Sequence, residues 1–137
     1  MKKLFLKFKR LLIISGLATF GLFILMFLAA GFWIGSSVKD HCQEMTARYQ
    51  QSDCVEVLMQ AVEDEELAFG ERNSAIWALG QLGDKRALPV IEKFYTGNIP
   101  DREPWNNTLS QYEMKKAINL LRGGFNITSF VWRPSID

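Results

Sequence analysis

Thiol, imidazole and carboxylate side chains are the groups here with chemistry to offer, and several of them gather in two short stretches, His41-Cys42 and Asp53-Cys54. As a metal site the set is badly spaced, because structural zinc ligands are usually separated by about two to four residues rather than placed side by side. As a redox pair the two cysteines make better sense. Outside a reducing compartment they would normally be joined, and closing a loop of about 13 residues contributes roughly 3 kcal/mol in the chain-entropy model. A disulfide needs Cα atoms within about 7 Å. One straight helix over residues 42–50 leading into an antiparallel partner would leave Cys42 about 12 Å from the turn. Either the helix ends early, near Met45 or Ala47, with Arg48 to Ser52 as a bend, or the thiols stay free; a Cys42–Cys54 bond is the expectation, since a small exported domain gains most from such a tie.

Beyond that pair the chain holds little that reacts. With one histidine and two cysteines in 137 residues there is scant material for acid-base or metal chemistry. No Ser/His/Asp set and no phosphate loop is present, so neither catalytic residues nor a cofactor are expected. The run Glu63-Asp64-Glu65-Glu66 reads first as a solvated turn, and otherwise as a docking site for a basic partner; it lacks the pattern of a calcium loop. Negative charge at a helix C-terminus opposes the helix dipole, so a helix should stop there. Trp77, Trp105 and Trp132, with the acidic run, are the nominated partner-binding residues. Trp105 stands out because it lies in a loop punctuated by Gly97, Pro100 and Pro104, and long loops often carry binding.

The elements that must position these groups begin with a membrane segment. From Leu11 to Val38 the chain runs 28 residues without a charge. About 20 helical residues cross a hydrocarbon core of about 30 Å, so residues 11–38 are long enough to span with some tilt. A signal peptide is the alternative, with Ala29-Ala30-Gly31 as its cleavage site, but its apolar core is usually only about 7 to 15 residues. Lys2, Lys3, Lys7, Lys9 and Arg10 make residues 1–10 a basic flank, which keeps the N-terminus in the cytoplasm and exports residues 39–137. In a bacterium that places the chain in the inner membrane with its C-terminal part in the periplasm or at the outer surface. Within the span, Gly31 and Gly35 form a small-xxx-small pair that could admit another helix closely. Those five basic residues leave 11 of the 16 against 15 acidic ones, a balance of about −4 beyond the span that argues against nucleic acid as a partner.

Residues 39–124 carry helical periodicity. Val55, Leu58, Met59 and Val62 share one face, preceded by Asp53-x-x-Glu56 in the form of a cap. Cys42, Met45 and Tyr49 give a partial stripe, which either starts a separate helix or prolongs the membrane helix. Ala75, Ala78, Leu79 and Leu82 form the next face, and Ala87, Val90, Ile91 and Phe94 the one after it. Gly83 supplies a left-handed helix end and Asp84 a cap for the helix that follows, which is expected to begin at Lys85 or Arg86 because Pro89 suits only a first turn. Thr108-x-x-Gln111 resembles a capping box ahead of Met114, Ala117, Ile118 and Leu121, and Gly123-Gly124 ends that helix. Residues 125–137 form an apolar tail without helical period. The tail either lies as a cap over the last exposed helix or offers Phe130 and Trp132 to a membrane surface or another subunit. Asn106-Asn107-Thr108 and Asn126-Ile127-Thr128 fit the glycosylation pattern, which matters only in a eukaryotic lumen.

The stretch Arg72-Asn-Ser-Ala-Ile-Trp-Ala-Leu-Gly-Gln-Leu-Gly-Asp-Lys-Arg-Ala-Leu-Pro-Val-Ile91 resembles the HEAT-like repeat of phycobilisome lyases and many bacterial scaffold proteins. The resemblance implies an all-α fold, one N-terminal transmembrane helix followed by a short HEAT-like α-solenoid of about five helices. It implies a binding surface more than an activity. The expected function is a non-catalytic module that binds a protein partner as an accessory or assembly subunit of a membrane complex, with no small-molecule substrate. A lyase-like enzyme related to the HEAT-repeat bilin lyases is one alternative, though those are soluble and larger, and a membrane-anchored sensor is another.

Overall fold

The computed structural model describes the backbone of residues 2–135 and the side chains of residues 6–134. Lys2 and Lys3 of the basic flank, and Ile136 and Asp137 of the tail, have side chains outside the described residues. No proline interrupts the first 49 residues, and α1 (Lys2–Tyr49) is one unbroken helix of 48 residues, about 72 Å long. The helix passes through residue 38 without a break, so the apolar segment and the first wall of the folded part are one rod. Leu6 to Tyr49 is long and apolar enough to cross a membrane, and none of its most apolar window is buried inside the chain.

Along α1 the environment changes at Gly31. Almost every side chain described before it is exposed, whereas Gly31, Gly35, Val38, Cys42 and Met45 are buried. Their spacing of four and three residues draws one straight stripe down a helix, and half-buried Tyr49 continues it. The other elements pack against this stripe: α2 (Cys54–Glu63), α3 (Phe69–Leu82), α4 (Leu88–Phe94), α5 (Gln111–Leu121) and α6 (Ser129–Trp132), with a 3-10 turn Lys85–Ala87 ahead of α4. Among the described residues there is no strand.

The link between α1 and α2 corrects the expected route to the disulfide. Cys42 and Cys54 are bonded, with Cα atoms 5.1 Å apart, yet α1 does not end near Met45 or Ala47. It continues to Tyr49, where Gln50 takes a left-handed φ of 55° and donates its N–H to the Thr46 carbonyl. The chain then doubles back over about four residues and places Cys54 level with Cys42. From there α2 runs in the same sense as the end of α1, since its C-cap Asp64 accepts a hydrogen bond from the Tyr49 hydroxyl at 2.7 Å. The expectation failed on its antiparallel premise, not on the distance a disulfide tolerates. Asp53 caps α2 as expected, accepting from the N–H groups of Val55 and Glu56. The helix stops at Glu63, before the rest of the acidic run.

α3 is the central helix, packed on α1, α2 and α5. Its buried set is Arg72, Asn73, Ala75, Ile76, Ala78, Leu79 and Gly80, which is wider than the single expected face: Ile76 is fully buried and Leu82 only half so. Gly80 permits the closest approach, since a Cβ there would lie 2.8 Å from Ala117 Cα on α5. Arg72 is buried with its charge shared out. Its Nε donates to the Val62 carbonyl at the end of α2, and its guanidinium lies over the rings of Phe69 and Phe94. Gly83 ends α3 at φ 71°, and Asp84 caps the turn that follows by accepting from Arg86 N–H. On α5, Met114, Ala117, Ile118 and Leu121 are all buried. Its cap is Ser110 rather than Thr108, with Ser110 Oγ accepting from Glu113 N–H.

Candidate protein-interaction surface

Between α4 and α5 the chain spends some sixteen residues without regular helix, and a loop of that length needs specific anchors to stay in place. Two side chains hold it. Asn73, fully buried on α3, donates from Nδ2 to the carbonyls of Trp105 (2.7 Å) and Thr108 (2.9 Å), and its Oδ1 accepts from Ser110 N–H at 2.8 Å. The amide is thus satisfied on both ends by main chain 32 to 37 residues away. Glu103 works from the other side. Its carboxylate accepts from Ser110 Oγ and from the N–H groups of Gln111 and Tyr112, placing negative charge at the N-terminus of α5, where the dipole favours it. Sequence reasoning missed both residues. The available signal for Asn73 was a short amide next to a run of core positions, a place where a polar side chain must find partners.

Held in this way, Trp105 keeps its ring at the surface, 41% exposed. Its carbonyl is pinned; its indole is not. The ring forms one wall of a cleft of about 420 Å³, opposite His41, Glu44 and Met45 of α1 and beside Gly70 and Glu71 at the start of α3. On its other side it lines a second, shallower recess of about 290 Å³ with Glu103 and Tyr112. Glu44, Glu71 and Glu103 give the two hollows a negative rim around an aromatic centre. His41 lies in reach of Glu44, 4.0 Å away, and packs edge-on against the Trp77 ring at 6.2 Å. That combination can receive a cationic side chain next to an apolar one.

The nominated residues do not form one surface. Trp105 is exposed and Trp77 is half-buried behind His41, but Trp132 is 3% exposed and lies at the opposite end of α3. Burial removes Trp132 from any partner surface in this conformation. The acidic run is divided as well. Glu63 pairs with Lys93 at 2.9 Å, and Asp64 takes the Tyr49 hydrogen bond, leaving Glu65 and Glu66 exposed. The Tyr49 hydroxyl is pushed up to about 12, first by burial and then by its bond to Asp64, whose carboxyl is held below the usual range by the same contact. Arg86 bridges Asp53, Glu56 and Asp84 and draws both aspartates below their ordinary values.

Gly31 and Gly35 do receive a helix, and it comes from this chain. A Cβ on Gly31 would lie 3.2 Å from Val131, and one on Gly35 would lie 2.5 Å from Trp132 Cβ. α6 therefore fills the seat that was expected to serve another helix. Residues 129–132 return to α1, and Arg133 reaches the end of α3 by donating to the Gln81 carbonyl.

Comparison with known proteins adds one match. No curated protein and no solved structure matches the chain. Residues 71–96, which take in α3 from its third residue on, the 3-10 turn, α4 and two residues beyond, match the family model for the PBS lyase HEAT-like repeat. The matched segment contains buried Arg72, the Asn73 anchor, the Gly80 contact and the Gly83-Asp84 turn, so the repeat and part of the support of the cleft coincide here in one helix pair. Over those residues the chain is similar to the PBS lyase HEAT-like repeat.

Proposed function

We propose that this protein is a non-catalytic interaction module moored by α1 in a bacterial inner membrane, N-terminus in the cytoplasm, and that it serves as an accessory or assembly subunit of a membrane complex. The observation that carries this reading is the exposed Trp105 ring, fixed through its own carbonyl by buried Asn73 at the edge of an acidic cleft. Tryptophan is among the residue types enriched at energetically dominant contacts. HEAT-like repeats generally mediate protein interactions, and the match over residues 71–96 supports the same reading. The partner segment would present a lysine or arginine next to an apolar side chain, meeting Glu44 and Glu71 on one hand and Trp105 on the other.

The Cys42–Cys54 bond supports an oxidising compartment for residues beyond the span, in keeping with the charge asymmetry across α1. In that orientation the cleft stands clear of the bilayer. His41 and Met45 lie eleven and more residues beyond Ala30, which is about 16 Å or more of helix. The test is mild-detergent extraction of the wild type and of Trp105→Ala, with identification of copurifying chains. The expected result is a stoichiometric companion whose yield falls roughly tenfold in the variant while thermal unfolding is unchanged. Equal yield with unchanged unfolding would contradict the assignment.

A further inference from the structure

The tail carries a pattern that the partner surface does not use. Its polar side chains turn inward and satisfy one another. Asn126 Nδ2 donates to Gln81 Oε1, Asn126 Oδ1 accepts from Thr128 N–H and Oγ, and Ser129 Oγ donates to the Asn126 carbonyl. Three of the apolar ones turn outward while Val131 and Trp132 pack on α1: Phe125 is 84% exposed, Ile127 55% and Phe130 65%. In water that sorting is the reverse of what folding favours.

Position along α1 supplies the reason. The Phe130 ring lies 6.1 Å from that of Phe27, Val131 rests on Gly31, and Trp132 rests on Gly35. All three positions belong to the uncharged run 11–38. Counting about 20 residues of hydrocarbon from Arg10 outward puts its far edge near Ala30. Phe27 is then inside the hydrocarbon edge and Gly35 about 7 Å beyond it. Shifting the span outward carries α6 deeper still. The depth is limited by backbone: an irregular segment with free carbonyls belongs at the headgroup boundary and not in the acyl core. Phe32 and Trp33, both over 70% exposed on α1, sit at the same level, where aromatic rings favour the interface.

We propose that residues 125–132 are a second membrane contact, an aromatic foot whose Phe125, Ile127 and Phe130 enter the outer lipid interface beside α1. The foot rests on the reading that α1 spans the bilayer. It makes the domain stand at a fixed height and rotation instead of swivelling on its rod, because the domain is then tied to the lipid at two points and to α3 through Gln81. The occupant of this apolar face is lipid and not a protein, since a bilayer that surrounds Phe27 must also meet the ring stacked against it.

The experiment uses the full chain in vesicles of phosphatidylcholine and phosphatidylglycerol. Phe125, Phe130, Phe23 and Tyr112 are each replaced in turn by photoreactive p-benzoylphenylalanine, an aromatic-for-aromatic change at exposed positions. Phe23 lies mid-span. Tyr112 lies at the far end of α5, beside Glu103. After illumination, mass spectrometry counts lipid adducts. Expected are adducts at Phe125 and Phe130 comparable to Phe23 and roughly tenfold above Tyr112. Adducts at Phe23 with Phe125 and Phe130 at the Tyr112 level would overturn the foot and leave the span standing. Phe23 at the Tyr112 level would overturn both.

Discussion

Trp105 and Trp132 lie at opposite ends of α3 and meet opposite fates. Each belongs to a segment with little helix of its own, tied to α3 by a polar side chain: Asn73 on α3 holds the Trp105 carbonyl, and Arg133 beside Trp132 holds the Gln81 carbonyl. At the membrane end the facing helix offers Gly35, a gap shaped for a side chain, and the indole fills it. At the far end α3 presents a glycine too, Gly70, but Asn106 is its nearest neighbour, Asn73 grips the main chain, and the indole lies alongside at the surface. Whether an aromatic becomes core or contact surface is decided here by how its segment is tied down, by a side chain seated on a missing Cβ or by main chain gripped from a buried amide. The residue type alone does not decide it.

Cutting back each tryptophan should separate the two ends most widely. Trp132→Ala leaves a cavity against Gly35 and is expected to cost about 3–5 kcal/mol in chemical or thermal unfolding of the detergent-solubilised chain. Trp105→Ala should change the same measurement by less than about 0.5 kcal/mol, as surface substitutions usually do. A large loss from Trp105→Ala, or none from Trp132→Ala, would break the contrast. Between these lies Asn73→Ala, which removes three hydrogen bonds from a buried amide and strands two carbonyls. It is expected to cost about 1–3 kcal/mol and to open residues 96–110 to proteolysis ahead of the rest of the chain. A protease pattern unchanged by that substitution would show that Glu103 suffices to hold the loop.

The smallest effect is electrostatic and tests the flank between the two ends. Asp53 and Asp84 have carboxyls depressed by Arg86, and a depressed acid contributes stability that is present above its unfolded value and lost as pH falls through its folded one. Unfolding scans should therefore show stability declining below about pH 4. Arg86→Ala should lower the neutral-pH midpoint slightly and flatten this acid limb. An acid limb unchanged in the variant would show that other carboxylates carry it.

Much of the architecture was legible in local pattern. The face of α5, the Asp53 cap, the Gly83-Asp84 corner and the helix stop at Glu63 all follow from side-chain periodicity and backbone preference within a few residues, and so does most of the face of α2, where Val57 and Ala61 are fully buried and Met59 only half so. What escaped depends on partners far along the chain. The partial stripe Cys42, Met45, Tyr49 did not reveal that α1 simply continues, because the first buried positions of that stripe, Gly31 and Gly35, read as a packing pair inside the span and not as the start of the same stripe. The reversed sense of α2 depends on a link that doubles back, which no periodicity encodes. The Ser110 cap and the Glu103 clamp sit inside a loop where several polar residues could each have capped α5, and only the position of Asn73 selects among them. At the candidate site, Trp105 was visible as an aromatic in a long loop, while the carboxylates that surround it come from α1, α3 and the loop itself, not from the acidic run Glu63–Glu66.

The account stands on α1 being shared by bilayer and domain as one uninterrupted helix. Alkaline carbonate extraction of bacterial membranes bearing the protein, followed by the intact mass of the retained chain, tests that most directly. The predicted result is a chain that stays with the membrane pellet with residues 11–38 still attached. Release into the supernatant, or a product beginning near Gly31 after cleavage behind Ala30, would contradict it.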